Sequence, residues 1–256
     1  MFQFIKNYLD NRIIKRSTIT LTDWAEVFES LPLLRGLSSD EMQRLQELVI
    51  LFCHHKAFEG AHGLVITQTM KLIIAVQACL PILKLSLDCY DGWVSVIIYP
   101  SGFAPKRVVR DEYGVEHTVQ SSLAGEAWQH GPVVLAWDET EHAGIIDGHN
   151  LVIHEFAHKL DMQNGEANGF PPLHPGMNGV VWTQAFSACF ENFQHQCSQG
   201  RNIGIDCYGA SSPAEFFAVL SEVFFERPEI IHRAYADVHE QLKQYYRQDP
   251  MSRIRR

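Results

Sequence analysis

Apolar residues recur every three or four positions through residues 38–54 (SSDEMQRLQELVILFCH), where Met42, Leu45, Leu48, Val49 and Phe52 share one face. A serine followed by acidic residues opens the run, so the spacing predicts an amphipathic helix with a capped start. Residues 64–80 read as a second helix, which Pro81 interrupts. Between Trp93 and Trp137 β-branched and aromatic residues gather: WVSVIIYP, then KRVVRDEYGVEHTVQ around a turn at Tyr113-Gly114, then PVVLAW. These segments predict strands of a small mixed or antiparallel sheet. From Asn150 the helical spacing returns, near 150–163, 179–198, 212–226 and 228–247, with loops rich in Gly, Asn and Pro between. Strands followed by helices imply the α+β class. No repeat, low-complexity tract or long linker divides the chain. It therefore reads as one domain over 1–256, with an N-terminal helical lobe at 1–90 and the sheet and later helices at 91–256.

Composition narrows the function classes. The 256 residues are 46% hydrophobic and 20% charged, as in ordinary globular proteins, and 21 Lys plus Arg against 30 Asp plus Glu leave a net charge of −9. Such an acidic chain lacks the field that gathers proteins onto phosphate backbones, so direct nucleic-acid binding is not expected. The six cysteines (Cys53, Cys79, Cys89, Cys189, Cys197, Cys207) include no pair with two residues between them, which argues against a zinc ribbon or a thioredoxin-type pair and leaves buried free thiols as the expectation. Residues 1–16 are broken by charge every few positions, unlike an export signal. The most apolar stretch, residues 72–83, is too short to span a bilayer, so the expected location is the cytoplasm, away from membranes.

The chemistry concentrates in residues 150–162, NLVIHEFAHKLDM, which hold the pattern H-E-x-x-H as His154, Glu155 and His158. At 100° per residue, with His154 at zero, His158 lies at about 40°, Glu155 at about 100° and Asp161 at about −20°; Val152, Ile153, Phe156, Ala157 and Leu160 fill the other side. Two imidazoles one turn apart can bind a single zinc ion at about 2.0–2.1 Å, while the glutamate reaches the water beside the metal. Chance produces this string in about one shuffled chain in twenty, so context has to carry the reading. Burying two His and a Glu on a core helix is costly unless something satisfies them, and a metal does so. The competing arrangement has the histidines on backbone carbonyls and Glu155 paired with Lys159 four residues on.

A catalytic zinc needs a third protein ligand. The extended pattern with Gly and His three and six residues after His158 is absent, because Asp161 and Asn164 stand there. The later helix YGASSPAEFFAVLSEVFF (residues 208–225) offers Glu215 and Glu222, two turns apart. Spacing does not choose between them, since Ser212, Pro213 and Glu215 also spell a capping box in which Glu215 serves its own helix end.

The chain also resembles a known family, the Mlc titration factor A (DgsA anti-repressor) zinc peptidases, relatives of the catalytic domain of anthrax lethal factor. The resemblance runs through QACLPILKLSLDCYDGW (77–93), VIIYPSGF (96–103), GEAWQHGPVVLAW (125–137), NLVIHEFAHKLDMQNGEANG (150–169) and SSPAEFFAVLSEVFFERPE (211–229). It implies a single zincin-like α+β domain with His154 and His158 as zinc ligands and Glu155 as catalytic base. It makes Glu215, in the P-A-E-x-F-A-V string, the third ligand and gives Tyr208, seven residues earlier, an assisting role, while Glu222 packs or supports. It further implies that His117, in GVEHTV, lies near zinc in a resting form. The implied substrate is a peptide or protein, and the implied partner is an Mlc-type transcriptional repressor of sugar-uptake genes.

Two other readings fit the same residues: a repressor-sequestering protein with a structural zinc, and a metal hydrolase acting on a non-peptide bond. For the peptidase, the strand PVVLAW (132–137) is expected to hold an extended substrate by strand addition.

Overall fold

The serine cap at the start of the first predicted helix is reciprocal. In the computed structural model Ser38 Oγ accepts from the Glu41 N–H (3.2 Å) while the Glu41 carboxylate accepts from the Ser38 N–H (3.0 Å). The structure describes residues 2–102, 106–110, 116–120, 125–142, 145–201 and 203–254. In chain order, α1 (Phe2–Lys15) and α2 (Leu21–Ser30) precede α3 (Ser39–His55), the helix that this box starts. Strand β1 (Ala57–Gly60) follows, then α4 (Gln68–Cys79), which begins later than its hydrophobic pattern because the Thr67 hydroxyl caps Met70.

The sheet comprises β1, β2 (Ser95–Tyr99), β5 (Gly125–Ala127) and β6 (Val133–Ala136), in the order β1-β2-β6-β5. The β1/β2 and β2/β6 pairs are parallel, and β5 turns back antiparallel on β6. Thus β1, inside the stretch expected to be helical, joins the sheet. A separate hairpin pairs β3 (Lys106–Arg110) with β4 (Glu116–Gln120), placing His117 opposite Val109.

Helices α5 (Trp137–Glu141), α6 (Leu151–Asp161), α7 (Gly179–Ser198) and α8 (Pro213–Glu226) follow. The run 228–247 is two helices, α9 (Pro228–Ala234) and α10 (Ala236–Tyr246), because Tyr235 adopts φ −144°, ψ 65° and breaks the ladder; α11 (Met251–Ile254) comes last. Among the described residues no helix is long and apolar enough to cross a membrane.

Aromatic rings fix the back of α6. Phe156 packs on Tyr90, Phe52 and Trp93 at centroid distances of 5.0, 5.6 and 5.7 Å, tying the helix to α3 and the approach to β2. Helix α8 is buried all round from Phe216 to Glu226, with α7 and α10 packed beside it through Trp182, Phe186, Tyr245 and Tyr246. One contiguous core runs from Trp24 to Tyr246.

The thiols depart from expectation. Cys197, at the end of α7, forms a disulfide with Cys207, in a 3₁₀ turn at Cys207–Ala210, whereas Cys53, Cys79, Cys89 and Cys189 are free. The chain doubles back after α7, which no cysteine spacing announces.

Candidate metal centre

The two histidines project from α6 because Asn150 sets its start. The Asn150 side-chain oxygen accepts from Ile153 N (3.0 Å), and its Nδ2 donates to Gln77 Oε1 (2.8 Å) and Glu226 Oε1 (3.0 Å). Helix α8 lies against this end and supplies the acids. Glu222 takes the Asn150 N–H through Oε2 and His154 Nδ1 through Oε1 (2.7 Å), and Glu226 takes the Gly148 N–H (3.0 Å). Buried carboxylates on an apolar helix need such partners; spacing offers Glu222 only as a candidate ligand and passes over Glu226, whose charge among the apolar residues of α8 is the available signal.

With Nδ1 committed to Glu222, His154 turns Nε2 toward Glu215 Oε2 (3.0 Å), and His158 Nε2 approaches the same oxygen (3.3 Å). The ligand atoms of His154, His158 and Glu215 all lie within 4.8 Å of one another. Donors around a tetrahedral metal ion at about 2.0–2.1 Å stand about 3.3 Å apart, close to the 3.0 and 3.3 Å from Glu215 Oε2 to the two imidazoles. Ser212 Oγ accepts from the Glu215 N–H (3.2 Å), but the Glu215 carboxylate goes to the imidazoles rather than back to its helix end. The capping use of Glu215 is thereby overturned. So is the alternative use of Lys159, whose Nζ donates to the carbonyls of Trp128 and Gly131.

Burial opposes a charge on His154, yet hydrogen bonds to Glu215 and Glu222 outweigh it and push its pKa up to about 10. Burial likewise works against ionised Glu215, but His154 and His158 hold its carboxyl well below the usual range. The His154 imidazolium thus pairs with the Glu215 carboxylate, and a metal would take the place of its Nε2 proton.

Glu155 sits beside the cluster in a different environment. It is almost fully buried, its Oε2 has no hydrogen-bond partner, and desolvation raises its pKa to about 7. The close approach of β5 secures it. A Cβ built on Gly125 would stand 2.3 Å from Glu155 Oε1 and 2.7 Å from Leu151 Cδ1.

Tyr208, 52% exposed, places its ring centroid 5.9 Å from that of His154. It lines a cavity of about 350 Å³ with His154, Glu155, Glu139, Asp147 and Asp206. His117 lies on β4, and its side chain is outside the described residues. The strand expected to receive substrate, β6, has both edges occupied by β2 and β5, so among the described residues the edge strand beside α6 is β5.

Comparison with known proteins agrees with this geometry. Residues 5–247 match the family described as glucose-regulated metallo-peptidase M90. Proteins called Mlc titration factor A from Yersinia pestis (strain Pestoides F) and Yersinia pseudotuberculosis (serotype O:1b, strain IP 31758) are each 38% identical over 240 residues, covering 92% of this chain and 88% of theirs. An H-E-x-x-H helix joined by a distant glutamate, inside a family match over nearly the whole length, means that the chain belongs to the glucose-regulated metallo-peptidase M90 family.

Proposed function

We propose that this protein is a zinc-dependent peptidase of the gluzincin type, with one catalytic zinc held by His154, His158 and Glu215 in a single zincin-like domain. The observation that carries it is the convergence of those three ligand atoms beside Glu155, a buried carboxylate with an unpartnered oxygen. Zinc would supply Lewis acidity, bringing the pKa of a coordinated water from about 15.7 to about 7.

Glu155, itself near 7 and with its Oε2 unpartnered, would take a proton from the attacking water and return it to the leaving amine. Glu222, at His154 Nδ1, would hold the imidazole in the tautomer that leaves Nε2 free to bind a metal. The Tyr208 hydroxyl, at the open side, donates to the oxyanion that develops on the scissile carbonyl. An extended peptide adds to the outer edge of β5, which lies against α6. The carboxylates of Glu139, Asp147 and Asp206 around the cavity suit the free ammonium of a peptide N-terminus, which favours aminopeptidase-like cleavage.

The resemblance noted above gives His117 the role of an added metal donor in a resting form. The name of the Yersinia relatives supports binding of an Mlc-type repressor, which would place the protein in the cytoplasm and tie it to sugar-uptake genes.

Glu155→Gln tests the assignment. Peptide hydrolysis should vanish with zinc retained and repressor binding intact, whereas loss of zinc would make Glu155 a ligand and refute its role as base.

A further inference from the structure

We propose that Cys197 and Cys207 form a reversible thiol–disulfide site that sets how firmly the Tyr208 turn is held at the metal centre, an inference that rests on the peptidase reading above. The bond joins the last turn of α7 to the residue immediately before Tyr208, and the same turn leads through Ser212 into α8 and Glu215.

Cys207 is exposed and Cys197 half-buried, so the pair is open to exchange. The four free cysteines are different. Cys79 and Cys189 are buried, Cys53 and Cys89 are half-buried, and desolvation raises all four thiol pKa values, to about 12 for Cys53 and Cys189, which disfavours the reactive thiolate.

Without the bond the turn keeps part of its seat. Gly209 remains packed between Val219 and Phe193, and Gln194 Nε2 still donates to Ala210 O (3.0 Å). Those contacts lie on the α8 side of Tyr208. On the other side the Tyr208 N–H is held by Asp206 Oδ1 (2.9 Å) in the loop that the disulfide closes, where Ile205 is anchored in the core and Asp206 Oδ2 faces His149 Nδ1 (3.6 Å), so the bond bears directly on the Cys207–Tyr208 step. Reduction therefore loosens the Cys207–Tyr208 end, while His154, His158 and Glu215, fixed by the packing of α6 on α8, stay in place.

The exchange balances with a dithiol reductant. One of its thiolates attacks the Cys207 sulfur, and Cys197 leaves as a thiolate that takes up a proton. The second thiol of the reductant then displaces Cys207, leaving two protein thiols and a cyclic disulfide.

The test uses the zinc-loaded full chain, oxidised or dithiol-reduced with the reductant removed by gel filtration, and Cys197→Ser/Cys207→Ser as the permanently open form. Reduction and the double variant should each lower kcat by roughly 10-fold, less than the 10²–10³ that follows outright removal of an oxyanion donor, with zinc content unchanged. In Tyr208→Phe, kcat should no longer respond to reduction. An unchanged kcat, a loss of zinc on reduction, or a Tyr208→Phe enzyme as redox-sensitive as the parent would overturn the proposal. If the oxidised parent cleaves no peptide, the peptidase reading fails. Amide exchange across residues 206–211 then decides this inference: faster exchange on reduction supports it, and equal exchange refutes it.

Discussion

Glu222 touches no metal in the proposed arrangement, yet replacing it should weaken metal binding by a defined amount. Its Oε1 lies 2.7 Å from His154 Nδ1, the two side chains being only 7% and 11% exposed, and its Oε2 accepts from the Asn150 N–H. Glu222→Gln keeps the volume and one acceptor, but it loses the charge and turns an NH₂ toward one of two donors. A hydrogen bond to a charged group contributes about 1.5–3 kcal/mol. The outer partner of a ligating histidine typically changes metal affinity about 10- to 100-fold, or about 1.4–2.8 kcal/mol, so the two estimates coincide. Glu215→Gln removes a ligand outright and should exceed that range.

Competition for zinc against a chromophoric chelator at pH 7, with folding followed by circular dichroism, reads both variants. An equal or larger loss in Glu222→Gln than in Glu215→Gln would refute the ligand assignment, and unchanged affinity would refute the supporting role. The pH dependence is a second readout. Because His154 keeps its proton up to about pH 10 in the metal-free protein, zinc must displace it, and affinity should rise about tenfold per pH unit through neutrality. Glu222→Gln removes one of the two hydrogen bonds that stabilise the His154 imidazolium, so its curve should flatten at lower pH.

The remaining predictions concern the surroundings of the site. Gly125→Ala places a methyl 2.3 Å from Glu155 Oε1, so hydrolysis should fall steeply while zinc content holds; full activity in that variant would refute the packing of β5 on the catalytic helix. Glu226, buried beside the Asn150 cap, has its pKa raised by desolvation from 4.5 to about 7. The stability it contributes is complete below pH 4.5 and is lost as pH rises through 7, up to about 3 kcal/mol at 1.36 kcal/mol per unit. Urea unfolding of the metal-free protein from pH 4 to 8 should therefore show a shallower decline in Glu226→Gln than in the parent, and parallel curves would contradict this.

Much of the metal helix was legible in one dimension. The apolar spacing through Leu160 and the position of His158 40° from His154 require only local geometry, and α6 forms where they place it. By spacing the acidic pair on α8 was legible as a pair and not as roles, which only the family resemblance assigned. The string S-P-A-E serves equally for a cap or for a ligand, and only the docking of α8 on α6 shows Glu215 reaching Nε2 of both histidines while Glu222 takes Nδ1 of one.

Strand β1 escaped notice because its four residues AFEG, largely exposed, carry no alternation; its parallel partner β2 lies 38 positions away, so the pairing is a long-range choice. The Cys197–Cys207 bond, between cysteines ten residues apart, was hidden because it needs the chain to double back after α7. By itself the sequence determined which residues cap, which spacing makes a helix, and which helix carries two imidazoles and a carboxylate, since those depend on neighbours within a turn or two. The tertiary structure decided how Glu215 and Glu222 divide between Nε2 and Nδ1 of His154 and which strand forms the edge, because each depends on segments remote in sequence that the burial of shared apolar faces brings together.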